Sequence, residues 1–183
     1  MRSPNRIRIG GKRLSEILEA HVKFVRGDET GVRAELAGAD LSRADLEKMN
    51  LTYANLQDAD LRGASLREAR LVSANLAASK LHKADLRKAD LTEANLSGAD
   101  LTEAQVGGAE MFRTDLRNAR LRGANFGATN LRQAEVSGAD FRGAILQTTI
   151  LRETNLEGVD LSGIDLTTTL LPPGYKRPSA PKT

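Results

Sequence analysis

The sequence predicts a solenoid built from five-residue units, and two observations support that prediction. From Leu36 to Leu171 every fifth residue is large and apolar, and 23 of these 28 residues are Leu. The residue two places before each of them is small or apolar, and 19 of these 28 residues are Ala. A helix face recurs every 3.6 residues and a strand face every 2, so a five-residue period fits neither. An internal repeat therefore organises the chain.

The repeated units resemble a known family. Ala39–Arg43, Ala94–Gly98 and Ala99–Glu103 match the A(D/N)LXX unit of pentapeptide repeat proteins, and the resemblance covers residues 34–173. It implies an all-β solenoid, a right-handed quadrilateral parallel β-helix in which each unit forms one side of a square coil. Four units, or 20 residues, then complete a turn, and about seven coils stack at the usual strand spacing of roughly 4.8 Å.

Only the Leu and Ala positions can point into such a narrow coil, so the sequence predicts a filled tube. Full burial of each Leu contributes roughly 1.5 to 3 kcal/mol, and the stability of a solenoid is close to a sum over neighbouring repeats. Val159 and Ile164 are large for the Ala position, which predicts a last coil that is widened or closed differently. The residues singled out for the core are Leu41, Leu61, Leu81, Leu101, Leu121, Phe126, Phe141 and Leu161.

The N-terminal segments differ from the repeats in composition. Residues 1–12 form a basic arm in which Ile and Arg alternate, as expected either of a short pairing strand or of a loose arm. Residues 13–30 predict a helix and its connection, because apolar residues recur at helical spacing before Gly27. Solenoid ends need covering, so we expect this helix to cap the first coil, although a partner-binding amphipathic helix has the same pattern. Its apolar residues are Leu14, Ile17, Leu18, Val22 and Val25.

The C-terminal end carries apolar residues at positions that are elsewhere mostly polar. Ile145, Ile150 and Leu170 occupy the outward position before the repeat centre, and Ile150 and Leu170 should stack. Tyr175 and the nearby prolines could cover these residues, or the end could form a homodimer contact, since exposed apolar patches often mark interfaces. Residues 174–183 predict a Pro-rich, basic, flexible tail.

The residues that would carry chemistry are scarce. The chain has no Cys and two His, so thiolate sites are excluded, and we expect His21 and His82 to be solvated rather than metal ligands. No catalytic triad or phosphate-binding loop is recognisable. We therefore expect a protein that is not an enzyme, with no catalytic residues, metal or cofactor.

The basic N-terminus lacks the apolar stretch of a signal peptide, and the chain contains no membrane-length apolar run, which favours the cytoplasm and no membrane contact.

Two outer stripes of the coil deserve separate interpretations. Tyr53, Val72 and Phe112 lie along the least polar stripe, which is either ordinary filling of a β-ladder or a flat protein-docking face. Elsewhere, arginines such as Arg62 and Arg142 follow acidic residues by two positions. That pattern favours a lattice of surface ion pairs over a nucleic-acid site, so no direct nucleic-acid contact is expected.

The sequence therefore predicts a non-enzymatic scaffold for protein–protein interaction with an unknown partner, and a homodimer through the C-terminal end is one of the two alternatives for that end. The resemblance implies an alternative, because some bacterial members mimic duplex DNA, bind DNA gyrase or topoisomerase IV and protect it from quinolones or toxins. Residues 34–173, however, contain 16 Lys plus Arg and 20 Asp plus Glu. That charge poorly imitates the dense phosphates of DNA, and the repeats contain no inserted loop. Gyrase binding therefore ranks second.

Overall fold

The structure is a computed structural model, and it describes residues 1–176. Its helices and strands all lie at the N-terminal end: a short 3₁₀ helix at Pro4–Arg6, strands β1 at Arg8–Ile9 and β2 at Lys12–Arg13, and helix α1 at Leu14–Val25. None of the helices in these residues is long and apolar enough to cross a bilayer.

Strands β1 and β2 form an antiparallel hairpin that pairs Arg8 with Arg13. Its two connecting residues, Gly10 and Gly11, both have positive φ, as a tight two-residue hairpin turn requires. The pairing continues beyond the strands, because the Leu14 N–H donates to the carbonyl oxygen of Ile7 at 2.8 Å. Both of those apolar side chains are buried, so one face of the hairpin is anchored in the protein core.

Helix α1 has defined start and stop signals. The Glu16 carboxylate accepts the Arg13 backbone N–H at 3.0 Å, which satisfies a donor at the helix start. At the other end, the N–H of Gly27 donates to the Phe24 carbonyl and the N–H of Asp28 to the Lys23 carbonyl, both at 3.0 Å. This is a Schellman ending, and the positive φ of Gly27 permits it.

One expectation for helix α1 was wrong. His21 was expected to be solvated, but it is buried together with Leu14 and Leu18, while Ile17, Val22 and Val25 are partly buried. The Ala34 N–H donates to His21 Nδ1 at 3.1 Å, and the ring stacks on Phe24 with centroids 5.8 Å apart. A histidine lies on the inner face because it supplies an acceptor for a backbone donor at the start of the repeats.

The repeats form a parallel β-helix. Parallel bridges join residues 35 and 55, 40 and 60, 45 and 65, and 50 and 70, so each 20-residue turn has four sides. Each side makes the same short ladder: the Leu36 N–H donates to Asn55 O at 2.7 Å, and the Asn55 N–H donates to Ala34 O at 2.9 Å. A turn follows at once, closed by the Ala39 N–H on Leu36 O at 3.1 Å. Each side is therefore no more than one bridge long.

The corners impose a regular backbone conformation. Every fifth residue from Gly38 to Gly163, the second after each repeat centre, has positive φ. A turn of this kind needs positive φ at its third residue, which explains the Gly at many of these positions. The remaining positions are filled by residues with side chains, such as Ala78 at φ 55°. Those residues adopt a left-handed conformation that glycine would adopt more easily.

The tube is filled by the Leu and Ala columns. Each residue singled out for the core is at most 1% exposed: Leu41, Leu61, Leu81, Leu101, Leu121, Phe126, Phe141 and Leu161. The two phenylalanine rings contact each other inside the tube, with centroids 6.0 Å apart and planes tilted by 50°. The aromatic pair occupies the space that Leu fills in most other coils.

The last coil, residues 151–170, is attached differently from the others. It pairs with the preceding coil at Ile150 and Leu170, where the Leu151 N–H donates to Leu170 O at 2.8 Å. Within residues 1–176, no bridge joins 135 to 155 or 140 to 160. Val159 lies between residues 155 and 160, and Ile164 precedes residue 165, which also has no bridge to 145 among the described residues; both side chains are partly buried against the core. They are bulkier than the Ala that usually holds these positions, in a coil that does not keep register on all sides.

Candidate interaction surfaces

Possible chemistry lies on the outside, because side chains fill the tube. Among residues 1–176, no group of three or more His, Cys, Asp or Glu could hold a metal ion. The candidates are therefore surfaces: an apolar stripe, the C-terminal end, rows of ion pairs, an asparagine face and a groove at the N-terminus.

The stripe predicted from Tyr53, Val72 and Phe112 follows one backbone ladder. The Tyr53 N–H donates to Val72 O at 2.9 Å, and two coils on, the Glu93 N–H donates to Phe112 O at 2.9 Å. Tyr53 is 51% exposed, whereas Val72 and Phe112 are partly buried. Thr92 separates the first two residues from Phe112. The stripe is continuous in the backbone but is apolar in two separate places.

A polar row borders the stripe. The Arg113 guanidinium lies 5.0 Å from the centre of the Phe112 ring, a cation–π contact. Arg113 Nε also donates to Gln133 Oε1 at 2.9 Å, and Gln133 Nε2 donates to Glu153 at 2.6 Å. Because these contacts hold Arg113 beside the ring, Phe112 combines an aromatic surface with a fixed cation.

The C-terminal residues are placed in two groups. Ile150 and Leu170 pair with each other, while Ile145 pairs with Asn125 on the neighbouring side. Ile145 and Leu170 are 43% and 42% exposed. Tyr175 packs against the core, and burial raises its pKa, with a further contribution from the Asp160 carboxylate. Ile145 and Leu170 keep these exposures although Tyr175 is half-buried, so some apolar surface remains uncovered among the described residues.

The ion pairs follow an Asp–x–Arg pattern within single repeats. In the pair of Asp140 and Arg142, the Asp140 carboxylate accepts a hydrogen bond from the Arg142 backbone N–H at 3.2 Å. It also accepts two from the Arg142 guanidinium, at 2.7 and 2.5 Å. Those hydrogen bonds hold the pKa of Asp140 at about 2, although burial opposes the shift. Sequence reasoning paired Arg62 and Arg142 with the acidic residues two positions before them. It missed the pairs of Arg87 and Arg117, which the same two-residue spacing could have identified. The four pairs are Asp60–Arg62, Asp85–Arg87, Asp115–Arg117 and Asp140–Arg142.

A face rich in asparagine was not predicted. It follows the bridges from Glu35 through Asn55, Asn75 and Asn95, and includes the two residues after each repeat centre on this side. Asn55 Nδ2 donates to Glu35 Oε2 at 2.8 Å, and Asn75 Nδ2 donates to Asn55 Oδ1 at 3.5 Å. This asparagine face holds five carboxylates and one arginine, a net charge of −4. Residues 34–173 as a whole, with 16 Lys plus Arg and 20 Asp plus Glu, have the same net charge. The carboxylates of the asparagine face are Glu35, Asp58, Asp115, Glu135 and Glu157.

The N-terminal elements leave a groove that the sequence did not reveal. A cavity of about 320 Å³ lies between the 3₁₀ helix, helix α1 and Met49 of the repeats. Its lining is mainly apolar, with Pro4, Leu18 and Val22 beside the carboxylate of Glu19. The contribution of Met49 depends on a long side chain at a position that is usually Ala.

The comparisons with known proteins agree with this geometry. A profile for pentapeptide repeats matches eight copies over residues 32–67, 69–104 and 109–147. No curated protein matches the chain.

Solved structures with a similar fold include HetL from the cyanobacterium Nostoc sp. strain PCC 7120, a pentapeptide repeat protein involved in heterocyst differentiation regulation. The two chains are 35% identical with a TM-score of 0.65, over 78% of this chain and 63% of HetL. This chain therefore spans less than two thirds of HetL.

Two further neighbours are more distant. Rfr23 from Cyanothece 51142 is 26% identical over 54% of this chain and 60% of its own, with a TM-score of 0.42. QnrB1, a plasmid-mediated fluoroquinolone resistance protein, is 19% identical over 79% of this chain and 87% of its own, with a TM-score of 0.49. Since the family profile matches more than half of the residues, the chain belongs to the pentapeptide repeat family.

Proposed function

We propose that this protein is a non-enzymatic scaffold that binds a protein partner through the side of its β-helix. The observation that carries the proposal is the filled tube, whose outer sides present side chains in fixed rows along the coil axis. HetL, a related pentapeptide repeat protein involved in a regulatory process, supports a binding role over a catalytic one.

The stripe of Tyr53, Val72 and Phe112 is the proposed docking face. Tyr53 offers a half-exposed aromatic ring, and Phe112 offers a ring with the Arg113 cation held above it. Aromatic and arginine side chains contribute most of the affinity in many protein interfaces. The backbone ladder fixes their spacing, so little backbone ordering is needed when a partner binds.

Affinity capture from the source cell tests this role with a matched pair of variants. Tyr53→Ser with Phe112→Ser removes both rings, while Ala77→Ser with Ala78→Ser introduces the same residue type on the asparagine face without removing a ring. We expect a partner that binds the wild type and the Ala77/Ala78 variant, and that is lost with the ring variant. Capture that is unchanged by loss of both rings contradicts this docking face.

Binding to a type II topoisomerase is a second candidate, and one observation favours it. The net negative charge of the repeats lies on the asparagine face rather than being spread over four sides. That charge is interrupted, because the two coils from Asn75 to Gly98 contribute no carboxylate to this face. The test is gyrase supercoiling with the purified protein, with and without a quinolone. Dose-dependent inhibition or protection at micromolar concentration supports this candidate, and no effect at high concentration rejects it.

We also propose a role for each end of the rod. At the front, the Arg2 N–H donates to Arg43 O at 2.6 Å, and the Asp45 N–H donates to Arg2 O at 2.9 Å, which supports helix α1 and the arm as a joint cap. At the back, Ile145 and Leu170 support a homodimer contact. Sedimentation equilibrium with Leu170→Ser tests that contact: a dimer of the wild type should become a monomer.

A further inference from the structure

The N-terminal hairpin presents a row of guanidinium groups on one face. Ile7 and Leu14 are buried, and strand side chains alternate between faces, so Arg8 and Arg13 project together to the outside. Arg6, two residues before Arg8, is exposed as well. We call these three residues the hairpin arginine face. The Gly10–Gly11 turn sets the register that brings Arg8 opposite Arg13, and Arg8 Nη1 donates to the Gly11 carbonyl at 3.0 Å.

This arrangement has a cost that the fold does not explain. Like charges directly opposite each other in a hairpin are destabilising. Residues 1–13 contain five Lys and Arg but no Asp or Glu. In the described chain, none of the three hairpin arginines forms an ion pair, and their nearest acid by contact is Glu16, which binds the Arg13 backbone. The arginines of the repeats at Arg62, Arg87, Arg117 and Arg142 are, in contrast, each paired with an aspartate.

A polar cleft continues this face beyond the hairpin. The cleft has a volume of about 420 Å³ and is lined by Met1, Arg2, Ser3, Asn5 and Arg6. Its lining offers amino, guanidinium, hydroxyl and amide donors. Arg2 is partly neutralised by Asp40 at 3.1 Å, whereas Arg6 has no acidic partner among residues 1–176. Arg6 lines this cleft and lies two residues before Arg8 in the chain, so the cleft adds cationic donors next to the hairpin in sequence.

We infer that the hairpin arginine face binds the phosphate backbone of duplex nucleic acid. The planar guanidinium group matches phosphate oxygens in a two-pronged geometry. Duplex DNA carries one charge per about 1.7 Å of its axis, so several phosphates can face closely spaced arginines at once. This differs from the expectation of no nucleic-acid contact, which rested on the neutralised charges of the repeats.

The composition of the face favours a duplex backbone over other anionic partners. Residues 1–13 contain no aromatic side chain, so the face lacks both the anchors of a protein interface and the platforms on which unpaired bases stack. Met1 is the one strongly exposed large apolar residue in this segment, which is little for insertion into a lipid surface. The binding is therefore electrostatic and independent of base sequence. It is also independent of the proposed protein-docking stripe.

Fluorescence anisotropy with the full chain and a labelled 20-base-pair duplex tests this inference. We expect a dissociation constant of roughly 1 to 100 µM at low salt, and a slope of log affinity against log salt of about −3 for three phosphate contacts. Arg8→Gln with Arg13→Gln should weaken binding at least about tenfold and reduce the slope by about 2. The control is Arg62→Gln with Arg87→Gln, which removes the same charge from paired positions and should leave binding unchanged.

Several outcomes of these experiments would overturn the inference. Equal losses in both double variants would show that only overall charge matters, and would overturn the inference. So would absence of binding by the wild type, or tighter binding to anionic vesicles or to a poly-glutamate peptide than to the duplex. Because removing a like-charge pair should not lower the melting temperature, a circular dichroism melt checks that the hairpin variant is folded. Arg6→Gln, outside the strands, provides a second variant, and it should weaken binding without altering the hairpin.

Discussion

The hydroxyl group of Thr114 donates a hydrogen bond of 2.9 Å to the carbonyl oxygen of Leu91, 23 residues earlier in the chain. That carbonyl also accepts the Ala94 N–H at 2.9 Å in its own corner. The same contact recurs wherever Thr replaces Ala at the inward position, so the buried hydroxyl is always satisfied. The other pairs are Thr129 with Val106, Thr149 with Phe126, Thr154 with Leu131, and Thr169 with Leu146.

This relationship predicts opposite effects for two substitutions at equivalent positions. Thr114→Val removes the donor but keeps the shape, and should lower the free energy of unfolding by about 1 kcal/mol. Ser79 occupies the same repeat position, but its Oγ is buried without a hydrogen-bond partner in the described structure. Ser79→Ala should therefore raise that free energy by about 1 kcal/mol. Urea unfolding followed by circular dichroism measures both, and a destabilised Ser79→Ala protein would contradict the prediction.

The corner conformation predicts a graded cost for alanine in place of glycine. A Cβ on Gly98 would meet no atom within 4 Å, so Gly98→Ala should cost only the left-handed backbone strain, about 1 kcal/mol. A Cβ on Gly138 would lie 2.4 Å from Asn118 Oδ1, so Gly138→Ala should cost more. Adding Asn118→Ala should bring the cost of Gly138→Ala down to that of Gly98→Ala. A cost that is independent of residue 118 would contradict this account of the clash.

The five-residue period was enough to predict the core, because the same spacing that places Leu96 inside the tube places every other centre there. The two-residue spacing also predicted the ion pair of Asp140 and Arg142, but not the hydrogen bond from the Arg142 backbone N–H to the same carboxylate, which depends on the corner geometry. His21 could not be placed from sequence, because its burial depends on the Ala34 N–H, a donor that only the fold brings beside the helix. The alternation around Arg8 allowed a short strand, but the partner strand at Lys12–Arg13 was not predicted, because residue 13 was assigned to the helix.

The burial of His21 predicts a pH dependence of stability. Burial, and secondarily the nearby charge of Arg33, lower the pKa of His21 below its ordinary value of 6.5, while the Thr52 backbone partly offsets this. The unfolded chain therefore binds the proton more readily than the folded protein. The stability that neutral His21 contributes is complete above about pH 6.5 and is lost as the pH falls below that value.

Unfolding measured between pH 7.5 and 5.5 checks this dependence. The free energy of unfolding should fall as the pH falls across this range, and the protection factor of the Ala34 amide against hydrogen exchange should decrease, because a protonated Nδ1 cannot accept its hydrogen bond. His21→Gln should flatten the dependence, whereas His82→Gln, on the outer side of the repeats, should preserve it. A slope that survives in His21→Gln would assign the effect to other groups.

The Asp140–Arg142 pair predicts a carboxyl group that stays ionised in strong acid. With a pKa of about 2, Asp140 should remain charged at pH 3, where an ordinary aspartate is mostly protonated. Its stabilising effect is present above about pH 3.9 and is lost as the pH falls through about 2. Carboxyl-carbon NMR titration measures this directly. Arg142→Gln should raise the pKa, leaving a smaller downward effect from Arg122 at 3.8 Å, and an unchanged titration would reject the pairing.

The loose attachment of the last coil predicts which amides exchange fastest and how to protect them. In the preceding coil, the Asp140 N–H donates to Ala119 O at 3.0 Å. The equivalent bond one coil later, from the Asp160 N–H to Ala139 O, is absent among the described residues. The Asp160 amide should therefore exchange much faster than the Asp140 amide.

Replacing Val159 and Ile164 by Ala gives the last coil the same inward residues as its neighbours. The smaller side chains should let its backbone settle into register, and protection at Asp160 should rise at least about tenfold, as a formed ladder bond implies. Leu166→Ala is the control, because it removes apolar volume from a centre position and should only loosen the coil. If the Val159 and Ile164 variant gains no protection, side-chain bulk is not what holds the last coil open.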